Sequence, residues 1–473
     1  MPTPRSDLYF ASAAELAGLI RSRELSPVEL MEMTLARIDA VNPRLNAFVH
    51  VRPREQLRKE ARDVADRLAR HEDVGPLAGL PLGVKDLEDA IGMPTTHGSL
   101  LFKDFHPAID TIQVERLKRA GAIVIGKTNT PEFGYTAFTT NRVFGTTRNP
   151  WNLERTPGGS SGGSSAAVAG GLVSLATASD GGGSVRIPAS YTGLVGLKPT
   201  NGRIPWGPEE MLRCSAAIVS GPLTRSVRDA ALWLDVTIGP HPLDPFSLPH
   251  PGYSYQQLIE RAPQALRIAY SPTLGYARPA AQVRREVEAA LRALEGCGHR
   301  VEEVEIAIPD VVIDWVRIMA GEDLAFMTPY LHDESLLDPG YLPGLELARH
   351  TTPADVGQAL RVRTQLLGAL QKIYSQFDLL ATPTVSTVAF AAEGPIPLEV
   401  DGAPVDTPGG GIAFTYPFNF SGNPAISLRA GLSDDHLPVG LQLVAPRLRE
   451  DLLLQVAAQY EQARPWHDQW PRL

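Results

Sequence analysis

The most unusual stretch of the chain, residues 156–200, reads TPGGSSGGSSAAVAGGLVSLATASDGGGSVRIPASYTGLVGLKPT. Glycine and serine dominate it, and large side chains are nearly absent before Val185. A segment this permissive usually has a task for its backbone. Apolar segments, Ala166 to Ala176 and Val185 to Leu197, bound its two glycine-serine loops, whereas a flexible linker would have polar flanks. The pattern therefore predicts two loops that are buried and held in place.

Strand-like and helix-like segments alternate on both sides of this stretch. They are Leu82 to Val84, Thr111 to Ala120, Ala122 to Ile125, Leu266 to Tyr270, Gln282 to Leu294 and Arg300 to Ile306. This alternation is typical of an α/β sheet. The Pro-rich residues Gly239 to Gly252 are interpreted as a surface crossing inside one domain.

Two helix-start signals lie in the first fifty residues. Ser12 and Glu15 have the spacing of a capping box, and Ser26 precedes Pro27 at a first helical position. Both predicted helices are interpreted as scaffold.

The composition is that of a globular protein. The chain has 473 residues, of which 43% are hydrophobic and 21% are charged, so a disordered chain is excluded. The net charge is −9 and no run of like charges stands out. We therefore expect no nucleic-acid partner and no binding to an anionic membrane surface.

Apolar stretches and cysteines indicate the compartment. No apolar run approaches the roughly 18 residues that a membrane helix needs. The early apolar stretch Leu8 to Ile20 is interrupted by Ser12 and Glu15, so we expect no signal peptide. The chain has only two cysteines, which fits a reducing, cytoplasmic setting.

Two short motifs match without their usual context. Residues 121–128, GAIVIGKT, satisfy the P-loop pattern, but the four middle residues are apolar and predict a strand where the motif needs a loop. Residues 158–162, GGSSG, satisfy the nucleophile-elbow pattern, but the preceding segment is polar and broken by proline. An esterase built on Ser160 would also need a histidine, for which the candidates are His299, His332 and His350. No residues have the spacing of a metal site.

A stronger signal combines one lysine with the two glycine-serine loops. Lys85 follows a strand-like piece and is one of only seven lysines, so arginine provides most of the solvated positive charge. Three consecutive glycines, residues 181–183, let successive N–H groups point toward one place that can hold an oxyanion. Ser184, directly after them, is well placed to be a nucleophile. Asp180 and Arg186 either pair to hold this loop or are solvated separately.

These segments resemble the amidase-signature hydrolases. The resemblance rests on GVKD at 83–86, residues 157–165, 179–188 and 193–200, and later on 378–384, 418–424 and 437–442. It covers nearly the whole chain. The variant with Gly181 before the glycine pair is similar to relatives near the cyclic nylon-dimer hydrolases and urethane-cleaving amidases.

The resemblance implies a Ser-Ser-Lys triad. Lys85 corresponds to the family's lysine, Ser160 to its bridging serine and Ser184 to its nucleophile, with a non-proline cis peptide bond next to Ser160. Burial would lower the pKa of Lys85 and make it a base. The N–H groups of Gly181, Gly182, Gly183 and Ser184 would hold the oxyanion.

The substrate pocket is expected around Pro205 to Ser215 and Val311 to Leu345. Tyr191 and Trp206 are predicted to line it. The segment up to Ser215 does not resemble the glutaminase subunit of tRNA-dependent amidotransferases, which argues against an obligate partner.

The resemblance implies one α/β domain over residues 1–473, with a mixed central sheet covered by helices on both sides. We expect a catalytic core at about 80–206 and a peripheral, substrate-side segment at about 240–360. The predicted activity is hydrolysis of small or aryl carboxylic amides without metal or cofactor, with carbamates (urethanes) and esters as side substrates. A Ser160-dependent esterase and a partner-dependent subunit of the amidotransferase type remain alternatives, and monomer or homodimer stays open.

Overall fold

A mixed sheet of eleven strands forms the centre of the protein in a computed structural model, which describes residues 6–208 and 216–473. The described residues form thirteen strands, eleven in this sheet and two in a separate pair: β1 (Phe48–Val51), β2 (Pro81–Lys85), β3 (Ile123–Thr128), β4 (Leu175–Asp180), β5 (Val195–Lys198), β6 (Val219–Thr224), β7 (Arg267–Tyr270), β8 (Arg300–Glu303), β9 (Leu379–Pro383), β10 (Glu399–Val400), β11 (Ala403–Pro404), β12 (Ala425–Leu432) and β13 (Pro438–Val444). Their order in the sheet is β1-β3-β2-β4-β6-β5-β12-β13-β9-β7-β8, and β10 pairs with β11 separately.

Helices surround this sheet. They are α1 (Ala13–Arg21), α2 (Pro27–Leu45), α3 (Arg54–Ala69), α4 (Ile112–Arg119), α5 (Gly162–Ala169), α6 (Arg186–Thr192), α7 (Val227–Thr237), α8 (Tyr255–Leu258), α9 (Ala281–Gly296), α10 (Val312–Met327), α11 (Leu342–His350), α12 (Pro353–Tyr374), α13 (Tyr416–Phe420) and α14 (Glu450–Ala463). Short 3₁₀ turns occupy Ser6–Phe10, Glu132–Gly134, Thr328–Tyr330, Glu334–Leu336 and Gly410–Ile412. Among the described helices, none is long and apolar enough to cross a lipid bilayer.

The directions of the strands confirm the predicted mixed sheet. Strand β2 runs parallel to both β3 and β4, and β7 runs parallel to both β8 and β9. The strands between these two groups pair antiparallel. Because the carboxyl ends of parallel strands lie at one edge, the ends of β2 and β4 meet there.

Alternate side chains of β3 show that helices cover both faces of the sheet. Val124 belongs to a core that includes Leu117 of α4. Ile123 and Ile125 belong to a second core that includes Leu57 of α3. Successive side chains of a strand point to opposite faces, so these helices lie on opposite sides, as predicted.

The predicted helix starts are confirmed. The Ser12 side chain accepts a hydrogen bond from the Glu15 N–H at 3.1 Å and begins α1. The Ser26 side chain accepts from the Val28 N–H at 3.2 Å, and Pro27 opens α2.

Residues 121–128 form a strand and its approach, which confirms the preference for a strand over a P-loop. Lys127 is buried in β3, where its Nζ donates to the Glu88 carbonyl at 2.6 Å and lies 3.3 Å from Asp86 Oδ1. Gly126 is required because β1 approaches closely: a Cβ at this position would lie 1.9 Å from the His50 carbonyl oxygen.

Replacing Gly126 by alanine is expected to lower the free energy of unfolding by about 1–3 kcal/mol, because the methyl group forces β1 away from β3. The matched control is Gly18→Ala in α1, where a Cβ meets nothing within 4 Å. That change should raise stability by about 0.5–1 kcal/mol, since alanine favours the helix. Urea unfolding of both variants measures the difference, and equal stabilities would contradict the close approach.

Candidate active site

The end of β2 places Lys85 inside the protein. Its side chain is fully buried, and its backbone N–H donates to Thr177 Oγ1 of β4 at 2.9 Å. The Nζ donates to Ser160 Oγ at 2.8 Å and to Ser179 Oγ at 3.0 Å. Burial in this position disfavours the charged ammonium. The structure thus brings together two of the three predicted triad residues and adds Ser179, which sequence reasoning missed.

Ser160 lies just before α5, next to a non-proline cis peptide bond, Gly159–Ser160. The residue is 3% exposed, and its carbonyl accepts from Thr130 Oγ1 at 3.0 Å. A Cβ on Gly159 would lie 2.7 Å from the Thr136 carbonyl oxygen and the Phe138 nitrogen. The glycine therefore lets this loop pass close to a neighbouring backbone.

The glycine loop after β4 is held through its carbonyl groups. The carbonyl oxygens of residues 180–183 each accept a hydrogen bond from a group beyond the loop. The donors, in that order, are Asn419 Nδ2 (2.9 Å), Trp315 Nε1 (2.8 Å), Thr415 Oγ1 (2.6 Å) and the Ile187 N–H (2.7 Å). Since the C=O and N–H of a trans peptide unit point in opposite directions, these bonds turn the following N–H groups the other way.

Three of the four predicted oxyanion donors are available in this arrangement. Within residues 6–208 and 216–473, the N–H groups of Gly181, Gly182 and Ser184 donate to no protein acceptor. Gly183 departs from the prediction, because its N–H donates to Asp180 Oδ1 at 2.8 Å. The Asp180 carboxylate occupies that N–H and thereby shapes the turn.

Asp180 and Arg186 form a buried ion pair, which decides between the two alternatives for these residues. The Arg186 Nη2 lies 2.9 Å from Asp180 Oδ1, and both side chains are 0% exposed. Burial alone would raise the pKa of Asp180, but the charge and hydrogen bonds of Arg186 outweigh it and lower the pKa to about 2. Arg186 also donates to Asn419 Oδ1 and Gln442 Oε1, so residues of two C-terminal motifs complete the pair.

A second buried carboxylate lies near Lys85. Glu88 is 1% exposed, and its Oε2 accepts from Gln113 Nε2 at 3.0 Å. Burial raises the pKa of Glu88 to about 7, against the smaller opposing effects of its hydrogen bonds and of Lys85 and Lys127.

A cavity of about 460 Å³ opens above these residues. Residues of the glycine and serine loops are part of its lining, namely Ser160, Ser179, Gly181, Gly182 and Ser184. Aromatic side chains form much of the remaining wall, namely His97, Phe102, Phe105, Phe133, Tyr135, Trp315, Phe326, Tyr341 and Tyr416. The site therefore joins serine hydroxyls and inward N–H groups to an apolar, aromatic pocket, an arrangement suited to acyl transfer.

Two residues predicted to line the pocket are placed outside the lining of this cavity. Tyr191 is fully buried in a separate core, with its ring centroid 5.9 Å from that of Phe390. Trp206 is half-buried, and its backbone N–H donates to Asp244 Oδ2 at 2.9 Å. Neither lines the cavity. Of the expected pocket segments, residues 209–215 lie outside the described residues, whereas 312–345 provide Trp315 and Phe326.

The three histidines named as candidates for the alternative esterase, His299, His332 and His350, do not favour it. His299 is buried between the Leu266 N–H and Gln459, and His332 and His350 lie on the outside of the fold. None of these three candidates lines the cavity with Ser160. In the described part of the chain, no group of three or more His, Cys, Asp or Glu residues is arranged to hold a metal ion.

Comparisons with known proteins agree with this geometry. The family model Amidase matches residues 29–454. An acylamidase of Rhodococcus erythropolis is 38% identical, over 98% of each chain, and a glutamyl-tRNA(Gln) amidotransferase subunit of Carboxydothermus hydrogenoformans is 36% identical, over 99% of this chain and 100% of that protein. A bacterial aryl acylamidase structure has a TM-score of 0.91 at 30% identity, covering 98% of each chain. A 6-aminohexanoate cyclic dimer hydrolase has a TM-score of 0.87 at 34% identity, covering 98% and 99%.

The fold, the motifs and these likenesses define an amide-hydrolysing enzyme. The chain belongs to the amidase family, the amidase-signature enzymes, which confirms the resemblance seen in its sequence.

Removing the charge of Asp180 tests the buried pair. In Asp180→Asn, Arg186 remains buried without its counter-charge, so we expect about 3–5 kcal/mol less stability at pH 7. The folded-state pKa lies below the unfolded one, so the wild-type pair stabilises above about pH 4 and this contribution is lost as the pH falls through 2. The difference in the free energy of unfolding between the wild type and Asp180→Asn should therefore decrease by about 1 kcal/mol from pH 5 to pH 3.

Denaturant unfolding at these pH values measures this difference. Asp434→Asn is the matched control, because Asp434 is 74% exposed and pairs with Arg285 on the surface. Its effect should stay within about 1 kcal/mol at every pH. A difference for Asp180→Asn that is constant with pH would contradict the lowered pKa.

Proposed function

We propose that the protein hydrolyses the C–N bond of small or aryl carboxylic amides through an acyl-enzyme on Ser184. The observation that carries this proposal is the buried contact of 2.8 Å between Lys85 Nζ and Ser160 Oγ. The same cavity is lined by Ser184 and by the glycine loop before it, in which three N–H groups donate to no acceptor among the described residues. Lys85 is the base, Ser160 the bridge and Ser184 the nucleophile.

The proton path follows from these roles. Neutral Lys85 takes a proton from Ser160 while Ser160 takes the proton of Ser184, and Ser184 Oγ attacks the carbonyl carbon. The N–H groups of Gly181, Gly182 and Ser184 stabilise the oxyanion. Ser160 then gives a proton to the leaving nitrogen and Lys85 resupplies it, so the C–N bond breaks and the amine departs. Water repeats the sequence on the ester and releases the acid.

A serine-directed fluorophosphonate tests the assignment. We expect a single adduct on the Ser184 peptide of the wild type, no adduct in Ser184→Ala, and labelling slowed by at least about a hundredfold in Ser160→Ala and Lys85→Ala, because the relay is then broken. Intact-mass and peptide mapping measure this. Ser375→Ala, at the exposed end of α12, is the matched control and should label at the wild-type rate.

The same experiment separates the alternatives. An adduct on Ser160 would favour the histidine-dependent esterase over the proposal. Amide hydrolysis by the purified chain alone is expected here. Activity that appears only with a second protein chain would favour an amidotransferase-type protein. The similarity to relatives named as amidotransferase subunits is the reason for testing this alternative.

The aromatic wall supports aryl substrates. Phe326 of α10 stacks on Phe102 with centroids 5.7 Å apart and planes at 12°, and Phe133 meets both rings. Such surfaces bind a planar ring better than a small alkyl group.

We propose that the peripheral segment, about 240–360, is the substrate side of a single domain spanning residues 1–473. Carbamates and esters should also react, since attack by Ser184 requires only a leaving atom that Ser160 can protonate.

Truncating this wall should change specificity. Phe326→Ala is expected to raise KM for an anilide about three- to tenfold, because ring contacts of about 0.5–1.5 kcal/mol are lost, and to leave KM for acetamide unchanged. Steady-state kinetics with both substrates measure the ratio. Phe246→Ala, an exposed phenylalanine outside the cavity lining, is the matched control. An equal change for both substrates would contradict aryl binding by this wall.

We also propose a cytoplasmic location, on the basis of the composition. The small number of cysteines, two in the chain, supports a reducing cytoplasm.

A further inference from the structure

Trp315 links the substrate wall to the loop that precedes Ser184. It lies in the first turn of α10, far in sequence from the glycine loop, and its half-buried ring lines the cavity. Its indole N–H donates to the Gly181 carbonyl at 2.8 Å. No signature motif includes this residue, and sequence reasoning placed only its segment at the pocket.

The bond acts on a particular N–H group. The Gly181 carbonyl belongs to the same peptide unit as the Gly182 N–H, and the two point in opposite directions. Holding the carbonyl on the Trp315 side therefore turns the Gly182 N–H away from it. This N–H is one of the three loop donors that have no acceptor in the described part of the chain. A Cβ on Gly182 would lie 2.8 Å from the Trp315 ring, so the ring packs directly on this peptide.

The other three of the four groups that donate to the loop carbonyls, called anchors here, belong to other parts of the chain than α10. Asn419 lies on α13 and Thr415 directly before it, and both contact Arg186, which belongs to the buried ion pair. The fourth anchor is the backbone of α6 itself. Only the Gly181 carbonyl, among these four, is held by the substrate-side segment. The orientation of the Gly182 peptide thus depends on where α10 sits.

The position of the Trp315 ring is in turn well defined. It stacks on Tyr416, with centroids 6.1 Å apart and planes at 24°. The Tyr416 hydroxyl donates to Asp310 Oδ1 at 2.8 Å, and the Trp315 N–H of the backbone donates to the Val311 carbonyl at 2.7 Å. A substrate group that packs against this wall therefore contacts the residue that orients the Gly182 peptide.

We propose that Trp315 is a positioning residue for the oxyanion loop, which couples the filling of the apolar cavity to the alignment of the Gly182 N–H. This inference rests on the proposed acyl transfer at Ser184. It assigns Trp315 two separable contributions: the ring contributes to binding, and the indole N–H contributes to the rate of the chemical step.

Trp315→Phe separates the two, because it keeps an aromatic wall and removes the N–H. We expect kcat for an anilide to fall about ten- to hundredfold, with KM changed less than about threefold. The fall in kcat should not exceed the loss of about a hundred- to thousandfold that follows removal of an oxyanion-hole donor itself, because the Gly182 N–H is still present. An unchanged kcat, or a rise in KM alone, would overturn the proposal and leave Trp315 as a wall residue.

A second variant removes only the N–H. Replacing Trp315 by 3-benzothienylalanine keeps the bicyclic shape and places sulfur where the nitrogen was, so it should reproduce the loss in kcat. Wild-type kcat in this variant would show that the hydrogen bond is not required. Trp470→Phe is the matched control, since Trp470 stacks on Phe10 away from the cavity lining and should retain wild-type kinetics.

Labelling distinguishes failure of this inference from failure of the proposed function. With the fluorophosphonate, Trp315→Phe should still give its adduct on Ser184, at a rate reduced in parallel with kcat. An adduct on Ser184 at the wild-type rate would overturn the role of Trp315 alone. An adduct at another residue in the wild type would overturn the acyl-enzyme on Ser184.

Discussion

The buried ion pair between Asp180 and Arg186 is the interaction on which the site depends. A charge removed from water is tolerated only when it is paired and hydrogen-bonded, and here the Asp180 carboxylate accepts from Arg186 and from the Gly183 and Val185 N–H groups. The pair therefore closes the glycine loop. Through Asn419 and Gln442, it also ties this loop to strands and helices more than two hundred residues away.

The sheet determines which side chains meet that loop. Strands β2 and β4 are parallel neighbours, so Lys85 at the end of one lies beside Thr177 and Ser179 of the other. Ser160 enters from the turn before α5, where glycines allow a close approach to the backbone of residues 136–138. A lysine, two serines and the glycine loop thus share one edge of the sheet, although almost a hundred residues separate the first from the last.

The cavity wall and the glycine loop are connected through helix α10. Helix α10 provides Phe326 to the aromatic wall and Trp315 to both the wall and the Gly181 carbonyl. Binding an apolar group and aligning an N–H donor then involve the same helix. The glycine loop and the serines therefore line one cavity together with Trp315 and Phe326 of α10.

The sequence by itself determined the family, the mixed α/β sheet, a strand at about residues 122–125 and the pairing of Lys85 with Ser160, because each depends on local patterns or on long motifs. Only the tertiary structure decided that the Gly183 N–H is occupied by Asp180, that Tyr191 and Trp206 lie outside the cavity, and that Ser179 and Trp315 belong to the site. The physical reason is that the direction of a peptide N–H, and the face on which an aromatic ring packs, are set by partners distant in sequence. Residue types and spacing specify which groups are present, whereas packing specifies which of them remain available to a substrate.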